Sequence, residues 1–286
     1  MATETKKIAL LGGDSRFLRL AELLAADGAE VCAYALGDVL PDCAVRCASI
    51  ADTVAGADAV VLPVPYSRDG KHINAPLHPM PVPLGELLAY AAEGIPIFGG
   101  MLPSSGLPGC ICTDYFTERM QIRNAVPSAE GALMIALEQM PGTLHGSKAF
   151  VIGYGRIGKL LADRLRAFGA DVTVFARKES DRAFAEAFSY QAAPVSALAE
   201  RLAEADVIFN TAPAALLTPE ALEKLKPEAV FIELASRPCC DSKRLLLSPA
   251  LPARTSPAAA ARYIYDEIRP LLYPAADGER QVLEQS

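Results

Sequence analysis

Residues Val151-Ile152-Gly153-Tyr154-Gly155-Arg156-Ile157-Gly158 form a G-x-G-x-x-G series. It follows an apolar run at 149–152 and opens a helix-like segment at 159–168. A second strand-like run, 171–176, comes next. This strand–turn–helix–strand order gives the glycines meaning, because each has its own geometric task. Gly153 permits the tight turn, Gly155 lets the backbone approach a pyrophosphate, and Gly158 lets the helix pack close to its strand. The helix N-terminus adds amide N–H groups and a partial positive charge. The segment is therefore expected to be a dinucleotide loop built from Gly153, Tyr154, Gly155, Arg156, Ile157 and Gly158.

The end of the second strand selects between cofactors. An NAD site places Asp or Glu there to hold the ribose 2′-hydroxyl. This chain has Arg177-Lys178 instead. An acid would repel a 2′-phosphate, whereas a guanidinium can grip it through a planar fork of donors. NADP is the expected cofactor, with NAD the alternative if Arg177 and Lys178 are only solvated loop charges.

The same unit occurs twice. Residues 7–35 lie over 148–176 without a gap, placing Gly12 on Gly153, Ala21 on Ala162 and Leu24 on Leu165. Further on, the run at 57–65 resembles that at 205–213, each a buried-strand pattern ending in a Pro-marked loop. The copies differ where function would lie. Asp14 stands opposite Gly155, and Phe17 opposite Gly158. A side chain at the first position and a bulky ring at the second leave the first copy unsuited to a dinucleotide. That copy is free for a substrate or partner.

The expected fold class is α/β: two Rossmann-like doubly wound domains with a cleft between them. The first would span 1–125 and be completed by a C-terminal helix within 256–286. The second would span 126–255, entered by a linker helix at 127–140. Strands are expected at 7–11, 30–35, 59–64 and 95–98, and helices at 15–26 and 84–93. Pro127-Ser128-Ala129-Glu130 reads as the start of the linker helix, with Leu133, Leu137 and Met140 on its apolar side. The final helix begins at Ser256-Pro257 and runs to about Leu272, followed by a frayed tail after Pro274.

The net charge of −7 and pI near 5.1 argue against nucleic-acid or anionic-membrane binding. No apolar run approaches the ~18 residues of a membrane span. The N-terminus lacks the apolar core of a signal peptide, so a cytoplasmic location is expected. The seven cysteines form no C-x-x-C, and His72, His78 and His145 have no zinc-like spacing. No metal is implied. Cys239-Cys240 could offer a reactive thiol beside a candidate site.

Ligands in open α/β sheets bind at the carboxyl ends of the strands. The loops to watch are 12–16, 65–74, 99–106, 210–213 and 233–240. Among them, Thr211, Ala212, Pro213 and Ser236 are assigned to the cofactor. Arg16, Ser67, Arg68, Asn74, Ser104 and Ser105 are assigned to an anionic substrate, with surface solvation as the plain alternative. Arg237 follows a strand at the position where D-2-hydroxyacid dehydrogenases, which the whole layout resembles, carry their substrate-gripping arginine. It could bind a carboxylate bidentately and is the candidate catalytic residue, the alternative being an ion pair. Those enzymes also use a late His as acid–base, and this chain has none after His145. Glu118, Arg119 and Glu130 lie near the domain junction. Glu130 reads as a helix-start charge and His145 as structural.

Several segments together resemble the family of dipicolinate synthase A subunits. They are Gly12-Gly13-Asp14-Ser15-Arg16, the stretch 62–70 (Leu-Pro-Val-Pro-Tyr-Ser-Arg-Asp-Gly), 126–132, 145–148 leading into 153–158, and Glu233-Leu234-Ala235-Ser236-Arg237-Pro238. The chain departs from the family at Cys239-Cys240, where Gly-Gly is usual, and at Ala253, where a Leu-Pro-Gly segment is usual. The resemblance implies an oxidoreductase that converts 4-hydroxy-tetrahydrodipicolinate, from the lysine pathway, to dipicolinate with NADP. It also implies a flavoprotein-like B subunit of dipicolinate synthase, in the mother cell of a sporulating bacterium. A dicarboxylate substrate calls for two cationic grips, Arg237 with Arg16 or Arg68. Two other readings stay open: another NAD(P)-dependent dehydrogenase of a small carboxylate, and a nucleotide-binding regulatory subunit without turnover. A homo-oligomer is also open.

Overall fold

The computed structural model describes residues 5–91 and 94–274. Two compact units divide the chain: one runs to Gln121 and resumes at Pro257, and the other is Ile122–Ser256.

The first unit is built on β1 (Lys7–Leu11), α1 (Ser15–Ala26), β2 (Glu30–Tyr34), β3 (Ala44–Arg46), α2 (Ile50–Val54) and β4 (Ala59–Val61). A short hairpin of β5 (His72–Ile73) and β6 (Val82–Pro83) follows, then α3 (Leu84–Ala91), β7 (Ile97–Gly99) and β8 (Cys112–Asp114). The main sheet has the order β3-β2-β1-β4-β7-β8 and is parallel throughout. Its central strands are apolar on both faces, as a sheet covered on both sides requires. On α1, Phe17, Leu20, Ala21 and Leu24 recur at helical spacing and are all buried. Against them pack Ala261, Ile264 and Ile268 of a last helix, Pro257–Leu272, which returns the chain to the first unit.

The helix α4 (Glu118–Gln139) carries the chain into the second unit. There follow β9 (Lys148–Ile152), α5 (Arg156–Ala167), β10 (Asp171–Ala176), α6 (Glu179–Ala187), β11 (Gln191–Pro194) and α7 (Leu198–Arg201). Next come β12 (Val207–Asn210), α8 (Pro219–Leu222), β13 (Val230–Glu233), β14 (Leu245–Leu247) and α9 (Leu251–Thr255), before the last helix, α10. The second sheet has the order β11-β10-β9-β12-β13-β14, again parallel throughout. The buried stripe of α5, Gly158, Leu161, Ala162 and Leu165, lies 141 residues after that of α1. Each such fully buried Leu contributes about 1.5–3 kcal/mol relative to exposure.

Several expected boundaries shift. The linker helix begins at Glu118 rather than at Pro127, which lies inside α4. A proline lacks the N–H for the carbonyl four residues earlier. One residue on, the Ser128 hydroxyl donates to the Asn124 carbonyl at 3.0 Å. Glu130 is therefore a mid-helix residue, and its partner is Arg164 at 3.3 Å, so it is not a helix-start charge. Leu133 is buried, but Leu137 is 51% exposed; the inward stripe is carried by Ala129, Ala132, Leu133 and Ala136. β2 stops at Tyr34 because Ala35 turns to a φ of 58°. β4 stops at Val61, short of the expected 64, and β7 starts two residues late, at Ile97. Glu93, the expected end of α3, and the tail beyond Pro274 lie outside the described residues.

Candidate functional site

Each sheet reverses its strand order at one place, between β1 and β4 in the first unit and between β9 and β12 in the second. At such a point the connections leave to opposite faces and open a crevice at the carboxyl ends of the strands. In the second unit the crevice is flanked by the glycine loop after β9 and the loop after β12.

Gly153 has a φ of 90°, and its amide donates to the Phe175 carbonyl at 2.8 Å, tying the turn to β10. A Cβ on Gly153 would sit 2.6 Å from the Thr211 hydroxyl oxygen, and one on Gly158 would collide with the Gly153 carbonyl. Both are glycines because backbone or a neighbouring hydroxyl already occupies the space. Thr211 fixes the approach by donating its hydroxyl to the Ile152 carbonyl at 2.9 Å. Gly155 differs: a Cβ there would meet nothing within 4 Å. It is the N-cap of α5 and makes no side-chain cap hydrogen bond. Bare backbone thus borders open space at the start of a helix whose first-turn amides are those of Arg156, Ile157 and Gly158. That arrangement suits a pyrophosphate. Tyr154 offers only its backbone. Its ring is buried, 6.4 Å centroid to centroid from Tyr190, with Lys159 Nζ 5.7 Å from its own centre. The side chain of Ile157 packs on the core.

Past β10, Arg177 and Lys178 are exposed, and neither side chain has a hydrogen-bond or ion-pair partner among the described residues. The Arg177 carbonyl accepts from Arg182 Nη1 at 3.0 Å, which fixes the backbone while leaving the Arg177 guanidinium outside. Beyond β12, Ala212 is partly buried and Pro213 exposed.

At the end of β13 lies a buried polar cluster that the motif reading did not single out. Asn210 and Glu233 are neighbours in register on β12 and β13, 0% and 2% exposed. Asn210 Nδ2 lies 2.9 Å from both Glu233 carboxylate oxygens. Glu233 also accepts from the amides of Ala235 and Cys239, each at 2.9 Å. A buried carboxylate without a cation needs such donors. Here they clamp both ends of the bend that presents Ser236 and Arg237. Both residues are exposed, and Arg237 has no partner among the described residues. A polar residue at the carboxyl end of each of two adjacent apolar strands was the available sequence signal. Cys239 is fully buried, and burial holds its thiol well above its ordinary range, with the neighbouring Cys240 and Glu233 adding to the effect. The Cys239 thiol is therefore protonated packing, not a reactive group.

The first unit's corresponding loop is filled by its own residues. The Gly13 amide donates to the Asn74 carbonyl at 2.9 Å, and a Cβ on Gly13 would sit 2.5 Å from the Phe17 ring. Asp14 caps α1, accepting from the Arg16 amide at 3.1 Å. Arg16, expected as a substrate grip, is only 6% exposed. Its Nε and Nη2 each lie 2.8 Å from the Asp14 carboxylate, and Nη2 also donates to the Val64 carbonyl at 2.8 Å. Its fork is spent inside the fold. Arg68 is exposed, with Nε 3.2 Å from Asn74 Oδ1. Asn74 is buried and donates to the Pro65 carbonyl at 3.1 Å, so it braces the loop. Ser67 accepts from the Gly70 amide and donates to Asp69. Ser104 and Ser105 are exposed in the turn closed by the Gly106 amide on the Pro103 carbonyl.

Glu118 starts α4, and Arg119 pairs with Glu267 at 3.1 Å. His145 lies at the amino end of β9, away from the ligand edge, with its ring against Gly169. Among the described residues no helix is long and apolar enough to cross a membrane, and no group of three or more His, Cys, Asp or Glu could hold a metal.

Residues 7–106 match the family of the dipicolinate synthase A subunit N-terminal domain. Residues 121–260 match the D-isomer specific 2-hydroxyacid dehydrogenase NAD binding domain. The dipicolinate synthase A subunit of Bacillus subtilis (strain 168) is 31% identical over 159 residues, 53% of this chain and 54% of that protein. The matched segment thus spans about half the length of that relative. The crystal structure of the dipicolinate synthase A chain from Bacillus subtilis superimposes with a TM-score of 0.76 at 26% identity, covering 99% of each chain. That of the dipicolinate synthase A subunit from Bacillus halodurans has a TM-score of 0.79 at 24% identity, covering 94% of this chain and 98% of that one.

Proposed function

Taking the chain as a relative of the dipicolinate synthase A subunit, we propose that it is an oxidoreductase making dipicolinate from 4-hydroxy-tetrahydrodipicolinate, with NADP as hydride acceptor. The observation that carries the reading is the composition of one sheet edge in the second unit. An uncapped helix N-terminus at Gly155, exposed and unpartnered Arg177 and Lys178, and exposed and unpartnered Arg237 all follow strands of the same parallel sheet, as found among the described residues. Backbone amides suit a pyrophosphate, paired cations suit a 2′-phosphate, and a planar fork suits a carboxylate.

The residues of this edge fit the dinucleotide. Gly153, Gly155 and the first-turn amides of α5 would hold the pyrophosphate, Arg177 and Lys178 the 2′-phosphate, and Thr211, Ala212, Pro213 and Ser236 the remainder. When bound, the nicotinamide supplies the hydride acceptor. The substrate loses one water and two hydrogens, leaving as a hydride and a proton, and the ring becomes a pyridine. Arg237 would orient a carboxylate of the substrate. Aromatisation is strongly downhill, which lessens the demand for a strong base in the oxidative step. A flavoprotein-like B subunit for a partner, and a cytoplasmic setting in a sporulating mother cell, belong to the same proposal.

The test is turnover. The protein is incubated with the hydroxylated substrate and either NADP or NAD, with and without the B subunit, following reduced-nicotinamide absorbance and the ultraviolet band of dipicolinate. Stoichiometric formation of both products, faster with NADP, is expected. Nucleotide binding without turnover in every arm would make the chain a regulatory subunit instead.

A further inference from the structure

The loop between β4 and β5 carries a carboxylate–imidazole pair that the motif reading passed over. Asp69 Oδ2 lies 2.7 Å from His72 Nδ1. The other carboxylate oxygen, Oδ1, accepts from the amides of Lys71 and His72, each at 2.9 Å, and from the Ser67 hydroxyl at 3.2 Å. These donors hold Asp69 ionised far below the usual carboxylate range, the His72 ring contributing most. An ionised acceptor on Nδ1 fixes that nitrogen as the protonated one and leaves Nε2 with the lone pair that can accept a proton. The His72 side chain is 42% exposed.

The loop is also placed. The Asn74 carbonyl accepts from the Gly13 amide at 2.9 Å, the Asn74 amide donates to the Tyr66 carbonyl at 2.9 Å, and the Tyr66 amide donates to the Gly100 carbonyl at 2.9 Å. Residues 66–74 are thereby laced across the carboxyl ends of β1, β4 and β7, over the strand-order reversal of the first unit. Ile73 is buried beneath, and Arg68 stands on the same loop.

We propose that His72, oriented by Asp69, is the general acid–base that removes water from the hydroxylated ring; this rests on the function proposed above. His72 Nε2 takes a proton from the ring carbon beside the hydroxyl-bearing carbon. The electron pair of that C–H bond becomes a ring double bond as the C–O bond breaks. The departing hydroxide receives the proton back from the imidazolium and leaves as water. The imidazole returns to its starting state, no electrons are gained or lost, and the ring is left for hydride removal. Asp69 is a positioning residue, acting through the imidazole.

The experiment compares wild type, His72→Gln, His72→Ala and Asp69→Asn, each assayed with NADP and the hydroxylated substrate at its own saturation, with Tm recorded. His72→Gln is expected to lose about 10²-fold in kcat with KM and Tm little changed. Asp69→Asn, which keeps the amide acceptor of the turn, should lose less, again in kcat. Added imidazole should restore part of the His72→Ala rate. A His72→Gln rate within twofold of wild type overturns the proposal, as does a fall in rate that accompanies a lowered Tm and is not rescued by imidazole. Wild type that binds NADP but never turns over refutes the function reading itself, and the role of His72 with it.

Discussion

Asn210 and Glu233 stand side by side at the carboxyl ends of β12 and β13, with the amide nitrogen of one 2.9 Å from both carboxylate oxygens of the other. Neither is exposed to any useful extent, and the carboxylate's other donors are the amides on either side of Arg237. Replacing Glu233 with Ala strands those donors, at about 1–3 kcal/mol for each buried group left unmade. Glu233→Ala should therefore lower Tm by several degrees and raise the KM for substrate, by loosening residues 234–239. Arg237→Ala should raise KM and lower kcat with Tm unchanged. Thermal melts beside steady-state kinetics separate the two. Equal kinetics for Arg237→Ala and wild type would remove that arginine from the site.

The two glycines at the helix start respond in opposite ways. Gly158 faces the Gly153 carbonyl, so Gly158→Ala forces the helix away from its strand and should lower Tm. Gly155 has a φ of −83°, and a Cβ there would have no neighbour within 4 Å, so Gly155→Ala should fold with wild-type Tm. Its new methyl group would fill the space assigned to the pyrophosphate. Calorimetric titration is expected to show dinucleotide affinity lost in Gly155→Ala despite an unchanged melt. Retained affinity would move the phosphate elsewhere.

The duplication was legible because its spacing is also a hydrogen-bond spacing. The Gly12 amide reaches the Tyr34 carbonyl as the Gly153 amide reaches that of Phe175, at 2.9 and 2.8 Å, 141 residues apart in both members. Lys7 and Lys148 likewise donate their amides to Asp58 and Asp206, at 2.7 and 2.8 Å. Apolar periodicity and glycine placement record such local constraints. What they do not record is the partner of a polar side chain from a distant segment. Arg16 read as an open loop cation because the Val64 carbonyl that buries it is 48 residues away. Asn210 and Glu233, 23 residues apart, meet only once β12 and β13 are in register. Pro127 misled for another reason: proline opens helices more often than it sits inside them, yet here the helix runs unbroken from Glu118 to Gln139, with the Ser128 hydroxyl reaching back to the Asn124 carbonyl.

Cofactor choice should turn on Arg177. Its guanidinium is exposed and unpartnered among the described residues, so removing it costs the fold little. A charge-assisted hydrogen bond contributes about 1.5–3 kcal/mol, so Arg177→Ala should weaken NADP binding by roughly tenfold to a hundredfold. NAD affinity should stay within twofold, because NAD has no 2′-phosphate to lose. Titrating wild type and variant with both dinucleotides reads this as a change in their ratio. An equal loss for both would assign Arg177 to the shared part of the cofactor.

Alkaline stability should report on Cys239. Burial raises its thiol well above the ordinary value near 9, and Tyr115, fully buried with its hydroxyl 2.8 Å from the Leu62 carbonyl, is raised by burial too. Both groups stay protonated in the folded protein, while the unfolded chain releases their protons at lower pH. The unfolded state then binds fewer protons, so stability is full below the unfolded thiol's pKa and falls as pH rises past it. Tm should hold between pH 7 and about 8.5 and decline above that, and Cys239→Ala should decline less steeply. Thiol alkylation at pH 8 gives the companion readout: exposed Cys43 should react first, and Cys239 only on unfolding. Rapid labelling of Cys239 in the folded protein, or a Tm that climbs with pH, would show that its thiol is not held in the core.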